Sequence, residues 1–260
     1  YHGGWSLGGF AGAGVLLVLL KILSLPVNQS IWGLLIVLFI VMVVVSQFML
    51  TFGSDPNAKV TKKSKSPLSF HPIALIFGLL SFVSYLVEGA VGDWSALYLF
   101  EDKGIVIEEA VMGVMLFNGT MCIGRLLGNR LGKHLTSKQV VVGGYLLGSI
   151  AMGLIVFLPG HASMYTYLLL GISLAMIVPN LFSAMGEQNV IPMTQAVATS
   201  TMLGYMGILM GPALIGFIAH GTSLTVAFIV LTTLLVVSAG IGKYAYHLMS
   251  KDCGLSEEQI

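Results

Sequence analysis

Charged residues are scarce in this sequence: only 9% of its 260 residues are Asp, Glu, Lys or Arg, whereas 56% are hydrophobic. A soluble domain carries roughly 25% charged residues, because its surface must be solvated. So few charges cannot cover a water-facing surface, and the mean hydropathy of +0.93 is that of a chain in lipid. The composition therefore excludes an ordinary soluble domain and predicts an integral membrane protein.

The patterns that mark enzymes and metal sites are also missing from the sequence. The two cysteines, Cys122 and Cys253, have no metal-ligand spacing. There is no P-loop, which argues against ATP-driven chemistry, and no Ser/His/Asp set can be assembled. We therefore expect a protein that is not an enzyme, with no cofactor, no metal site and no nucleic-acid partner.

Eight apolar segments are each long enough for a transmembrane helix, which needs about 20 residues. They do not alternate polar and apolar residues, as the strands of a membrane β-barrel would. The predicted fold is therefore all-α, a polytopic membrane helix bundle. The segments are 4–25, 31–52, 72–100, 110–128, 139–158, 162–186, 196–219 and 222–248.

A basic segment at 53–71 separates the first two predicted helices from the last six. Its lysines lie among Ser, Pro and Asn, which is typical of a solvated linker. If this linker is cytoplasmic, all basic residues except Lys21 and Lys103 fall on the same side, as the positive-inside rule requires. Both ends of the chain are then cytoplasmic, and the predicted parts are the last two helices of an N-terminal half (1–52), a cytoplasmic linker (53–71), a six-helix C-terminal half (72–248) and a cytoplasmic tail (249–260).

Glu88 is the residue of the predicted helices that costs the most free energy to bury in a membrane. A carboxylate near the bilayer centre usually faces a cavity or a partner, because lipid cannot solvate it. Flanking glycines beside such a carboxylate are typical of the broken helices of transporters, and here they are Gly89 and Gly92. Two interpretations are open: Glu88 handles substrate or protons, or it hydrogen-bonds a neighbouring helix. Helical spacing puts it broadly on one face with Ser81, Ser84, Tyr85 and Ser95.

Other polar side chains in the predicted helices are candidates for substrate contact. Asp93 and Trp94 follow Glu88 toward the outer end, where capping and an interfacial aromatic are the alternatives. Asn118 and Asn180 are expected to face a cavity, whereas Thr120 is expected to bond neighbouring helices. The candidate substrate- or proton-binding set is therefore Tyr85, Glu88, Asp93, Trp94, Asn118 and Asn180.

Glycines recur at every fourth position in several of these segments. In lipid, helices gain no hydrophobic attraction for each other, so small residues that allow close backbone approach favour packing. The glycines either pack the bundle or line a seam along which two halves move. The series are Gly4, Gly8 and Gly12, then Gly124, Gly128 and Gly132, and then Gly207 and Gly211.

Three stretches resemble the major facilitator superfamily of transporters. Residues 124–132 (GRLLGNRLG) resemble its G-x-x-x-D-R-x-G-R/K signature, which lies in an inner loop between paired helices. Residues 204–216 are similar to its eleventh helix. Residues 88–98 (EGAVGDWSALY) resemble the seventh helix of a bacterial subgroup of inner-membrane transporters related to fucose permease. The resemblance covers nearly the whole chain and implies helices five to twelve, with the first four absent.

The resemblance implies secondary active transport of a small solute by alternating access in the bacterial inner membrane. Glu88 would bind substrate or protons, and an inner gate would comprise Gly124, Arg125, Asn129 and Arg130. Asn129 replaces the acidic residue of the signature, so one charge pair of that gate is lost. The implied partners are a small-molecule substrate, protons for symport, the lipid bilayer and the missing N-terminal helices.

The substrate class is not encoded in a motif. A sugar or similar polar metabolite is the first hypothesis, by resemblance to the family. Export of drugs or other amphipathic compounds is the alternative, which many Met and aromatic residues favour. A non-transporting membrane receptor or assembly partner is a third hypothesis.

Overall fold

The computed structural model describes residues 2–48, 68–131 and 135–253, and every regular element in these ranges is a helix. Seven helical segments there are long and apolar enough to cross a membrane, and a shorter apolar helix covers Leu7–Ile22. The prediction of an all-α polytopic bundle is therefore confirmed. The helices are α1 (His2–Leu17, continued by a π-helical turn, Val18–Ile22), α2 (Val27–Ser46), α3 (Pro72–Glu101), α4 (Ile107–Leu131), α5 (Ser137–Phe157), α6 (Gly160–Tyr165), α7 (Tyr167–Leu174), α8 (Ile177–Glu187), α9 (Met193–Gly221) and α10 (Leu224–Cys253).

Helix α2 begins earlier than the sequence suggests. Residues 27–30, which lie between the predicted segments 4–25 and 31–52, are instead the first turn of α2. Pro26 precedes this turn, where the missing N–H of a proline costs nothing. The Asn28 side chain accepts from the Gln29 N–H at 2.8 Å, and the Ser30 hydroxyl donates to the Pro26 carbonyl at 3.1 Å. Polar side chains here complete the end of a helix.

Helix α3 lies at the centre of the described bundle, and most of its residues are buried. Its aromatic side chains stack on α10: the rings of Tyr98 and Phe228 are 4.3 Å apart. On another side, the Tyr145 hydroxyl of α5 donates to the Leu80 carbonyl at 2.7 Å and lies 2.8 Å from the Ser84 hydroxyl. Apolar packing and buried hydrogen bonds together hold this helix in place.

Helices α3 and α9 approach each other closely at the glycines of α9. A Cβ atom at Gly207 would overlap the Phe82 carbonyl, and one at Gly211 would lie 2.8 Å from the Leu86 carbonyl oxygen. Such contact between backbones is possible only at glycine, and it gives dispersion energy where lipid offers no hydrophobic drive. This glycine series therefore packs the bundle.

Helices α1 and α4 interlock through reciprocal contacts. Asn118 of α4 lies against Gly9 of α1, and a Cβ atom at Gly9 would be 2.6 Å from Asn118 Oδ1. In the same way, Phe10 of α1 lies against Gly119 of α4. Helix α2, in contrast, packs little against the rest of the described chain, and Ser30 is its one buried residue. Its exposed apolar side chains suit a lipid or helix neighbour.

We predict that Gly207→Ala destabilises the bundle by about 1–3 kcal/mol, because the added methyl group would force α9 away from α3. The measurement is the unfolding midpoint of the detergent-solubilised protein. Gly240→Ala in α10 is the matched control, since no described atom lies within 4 Å of a Cβ there. Equal midpoints for the two variants would contradict the close-packing account.

Candidate functional site

The predicted helix 162–186 is interrupted in the structure, and Pro179 explains one of the interruptions. In a continuous helix the N–H of residue 179 would donate to the Ala175 carbonyl, but proline has no N–H. Helix α7 ends at Leu174 and α8 starts at Ile177. The Ala175 oxygen instead accepts a hydrogen bond from Arg125 Nε of α4 at 3.3 Å.

Arg125 also forms an ion pair with Glu88. Its Nη2 atom lies 2.9 Å from Glu88 Oε1, and the two side chains are 4% and 6% exposed. Glu88 is near the middle of α3, whereas Arg125 is near the end of α4. These two residues were predicted in separate groups, Glu88 in a binding site and Arg125 in an inner gate, and the structure brings them together. A buried charge of either sign is costly alone, so each stabilises the other.

The inner-loop prediction for residues 124–132 is wrong where the structure describes them, because α4 continues as a helix to Leu131. Gly124 and Gly128 lie on the side of α4 that faces the α7–α8 break. A Cβ atom at Gly124 would be 2.6 Å from Ala175 Cβ, and one at Gly128 would overlap the Met176 side chain. These glycines bring α4 close enough for Arg125 to reach Ala175. The side chains of Asn129 and Arg130, and all of Gly132, lie outside the described residues.

Glu88 faces a cavity of about 970 Å³ between α1, α3, α4 and α9, and Asp93 and Asn118 line it as well. Within the described residues, the first glycine series does not pack against another helix, contrary to one of its two interpretations. Instead, Gly4, Gly8 and Gly12 line this cavity, and no described atom lies within 4 Å of where their Cβ atoms would be. The absence of side chains along this face of α1 makes room in the cavity.

The polar groups of the cavity differ in their hydrogen bonding. The Asn118 amide nitrogen donates to the Val114 carbonyl of its own helix at 3.0 Å. Glu88 Oε1 accepts from Arg125, whereas Oε2 accepts no hydrogen bond from the described part of the chain. Asp93 is exposed to the cavity and forms no ion pair with any described residue. The cavity therefore presents carboxylate oxygens to a solute.

Three predicted site residues do not line this cavity. Tyr85 stacks on Tyr205, with ring centroids 5.8 Å apart. Trp94 donates from Nε1 to the Pro212 carbonyl at 3.0 Å, and so links α3 to α9. Asn180 lines a separate cavity of about 720 Å³ beside α5, α7 and α8, and donates to the Met176 carbonyl at 2.8 Å. In this structure all three make contacts that stabilise the helix bundle.

Thr120 packs between two helices, but it does not form the predicted hydrogen bond to a neighbouring helix with any described residue. Its hydroxyl donates to the Leu116 carbonyl of α4 at 2.9 Å, and it lies so close to Gly171 of α7 that a Cβ atom there would overlap it. Thr120 therefore belongs to the packing between α4 and α7 and lies outside the list of cavity-lining residues.

One cluster of charged residues was not predicted from the sequence. Lys21, after α1, forms an ion pair with Glu109 Oε1 at the start of α4. His161 of α6 lies with Nε2 at 3.1 Å from the other oxygen of Glu109. The cluster joins the first helix to the C-terminal helices. The sequence does hold a signal for this ion pair, since the predicted topology puts Lys21 and Glu109 on the same side of the membrane.

The fold and its cavity define a multi-pass membrane protein with room for a small solute. No protein-family model matches the chain. The chain is 36% identical over 244 residues to an uncharacterized MFS-type transporter of Yersinia pestis. The aligned region covers 92% of this chain and 61% of that protein. The chain is 30% identical to the membrane protein MosC of Rhizobium meliloti over 64% of this chain and 42% of MosC. An uncharacterized transporter of Sinorhizobium fredii is 28% identical over 60% of this chain and 41% of its own length.

The proteins of Yersinia pestis and Sinorhizobium fredii are both named as transporters. The chain spans about three fifths of the length of the Yersinia pestis protein. The fucose-permease subgroup and the numbering of the helices as five to twelve stay predictions.

We predict that Arg125→Met destabilises the protein by about 3–5 kcal/mol, because it leaves the Glu88 carboxylate buried without a cation. The double variant Glu88→Met/Arg125→Met should recover most of that loss, since it removes both charges. Unfolding midpoints of the wild type, both single variants and the double variant would form the cycle. A double variant no more stable than Arg125→Met would contradict the pairing.

Proposed function

We propose that this chain is part of a secondary active transporter that moves a small solute by alternating access. The buried Glu88–Arg125 ion pair beside a solute-sized cavity is the observation that carries the proposal. Intramembrane ionisable residues are costly, and they are usually found on substrate and ion pathways. The similarity to MFS-type transporters supports the same class of function.

The two parts of the chain contribute to the cavity from different sides. Helices α1 and α2 belong to segment 1–52, whereas α3, α4 and α9 belong to segment 72–248. In alternating access, these parts move against each other around a central site. The ion pair between Lys21 and Glu109 joins them at one end and is partly exposed, with side-chain exposures of 47% and 29%. Exposed ion pairs contribute little free energy, so this contact can open and close at low cost.

The ion pair supplies a mechanism for coupling to protons. Protonation of Glu88 removes the charge that holds Arg125, while the Ala175 carbonyl still accepts from its Nε. With that charge removed, the guanidinium group is held less strongly to α3, at the point where the interrupted helix α7–α8 can bend. Gly124, Arg125, Asn129 and Arg130 form the inner gate in this proposal, with linker 53–71 and both chain ends in the cytoplasm of a bacterial cell.

The first candidate substrate class is a sugar or similar polar metabolite, whose hydroxyl groups would donate to the cavity carboxylates. Export of an amphipathic compound is the second candidate. The lining favours it, because the residues around the carboxylates are mostly Gly, Ala, Val, Leu, Ile and Phe. Apolar pockets with a few polar groups are typical of small-molecule sites.

We expect Glu88→Gln to abolish proton-driven accumulation of solute by the full-length protein, because the amide cannot exchange a proton. The measurement is flux into proteoliposomes under an imposed pH gradient, with labelled sugars, polar metabolites and amphipathic compounds as solutes. Glu187→Gln is the control, since Glu187 is exposed and does not line the cavity.

Unchanged accumulation in Glu88→Gln would contradict the coupling role of this residue. Absence of flux for every solute, together with no change in accessibility of the cavity, would instead favour a receptor or assembly partner.

A further inference from the structure

We infer that the cavity binds a small monovalent cation that carries an ammonium group on an apolar body. The inference rests on the proposed transport function and names the substrate class of the same cavity. It depends on three features of the described residues: the balance of charge, the supply of hydrogen-bond acceptors and the shape of the apolar lining.

The charges of the cavity leave one negative charge uncompensated. Glu88 and Asp93 are the charged residues among its described lining. Glu88 is paired with Arg125, so this pair is neutral as a whole. Asp93 has no ion-pair partner in the described ranges. One excess negative charge in a cavity with mostly apolar walls favours a solute with one positive charge, because opposite charges attract.

The cavity also offers acceptors and few donors. The Asn118 amide donates to Val114, and Arg125 donates from Nε to Ala175 and from Nη2 to Glu88. Glu88 Oε2 and the Asp93 carboxylate have no donor in the described part of the chain. A bound solute would therefore have to bring N–H or O–H groups.

A backbone carbonyl adds a third acceptor. Pro212 interrupts the hydrogen bonding of α9, because it cannot donate to the Ile208 carbonyl four residues earlier. Ile208, Gly89 and Pro212 all line the cavity. The Ile208 oxygen would lie only 3.1 Å from a Cβ at Gly89, so a side chain at residue 89 would press against this carbonyl. An ammonium group has three donors, and the residues that line the cavity offer two carboxylates and this carbonyl as acceptors.

The remaining lining favours an apolar body on the same molecule. Leu34, Val111, Val114, Phe117 and Leu209 surround the acceptors. Opposite them, the bare glycine face of α1 leaves space without supplying side-chain donors. A sugar needs donors for its own oxygen atoms as well as acceptors, whereas an amphipathic amine needs only acceptors and an apolar surface. The amine therefore fits the described lining better than a sugar does.

Phenethylamine, which is a monocation near neutral pH, is the probe for this inference. Its binding to the purified full-length protein in lipid nanodiscs would be measured calorimetrically beside phenethyl alcohol and hydrocinnamate, the neutral and anionic counterparts. We expect saturable binding of the amine only. Asp93→Asn should weaken that binding about tenfold or more, because it removes a charge-assisted hydrogen bond, and Asp93→Glu should retain most of it.

Glu101→Gln is the matched control, because it removes the same charge from the same helix at an exposed position away from this cavity. It should bind the amine like the wild type, and equal unfolding midpoints would exclude misfolding of Asp93→Asn. Equal or tighter binding of the alcohol or the carboxylate, no amine binding, or an unchanged amine affinity in Asp93→Asn would overturn the inference. Flux measured in parallel separates the two proposals: flux of other solutes would leave transport standing, whereas Asp93-dependent amine binding without flux would count against transport.

Discussion

A single missing N–H group connects the parts of this site. Because Pro179 cannot donate to the Ala175 carbonyl, α7 and α8 separate, and the freed oxygen accepts from Arg125. Arg125 is thereby held next to Glu88, in the middle of the most buried helix. Backbone groups and charges in a membrane must find partners inside the protein, since lipid supplies none. The helix break and the buried ion pair are therefore parts of one arrangement. Arg125 satisfies both the Ala175 carbonyl that the break leaves without an N–H donor and the buried carboxylate of Glu88.

Glycine serves two different purposes in this bundle. Gly207 and Gly211 allow the backbones of α9 and α3 to touch, and Gly124 and Gly128 bring α4 onto the α7–α8 break. In α1, the same spacing leaves a face without side chains along the cavity. The pattern of every fourth residue marks a face of a helix. Which neighbour lies across from that face, another helix or a cavity, decides whether the glycines pack or leave space.

The helices themselves were predictable, because long apolar runs and the scarcity of charge allow hardly any other fold. Glu88, Asp93 and Asn118 were predicted as cavity residues, and they do line one cavity. The pairing of Glu88 with Arg125 was not predicted, because it depends on the relative rotation and depth of two helices that sequence periodicity leaves undefined. As substrate-binding residues, Trp94 and Asn180 stay predictions, although both lie outside that cavity. An indole or amide bonds equally well to a solute and to a backbone carbonyl, and here Pro212 and Met176 supply those carbonyls.

The face of α1 formed by Gly4, Gly8 and Gly12 has a consequence for selectivity. Most binding pockets are bounded by side chains, which change rotamer to fit ligands of different size. Here one boundary consists of main-chain atoms, whose positions are fixed by the hydrogen bonds of a helix. In the proposed transporter, such a boundary would act as a rigid size filter, and its tolerance would be set by the distance between helices. Replacing one of these glycines with alanine would then change the accepted solute by one methyl group, without altering the charged groups on the opposite side.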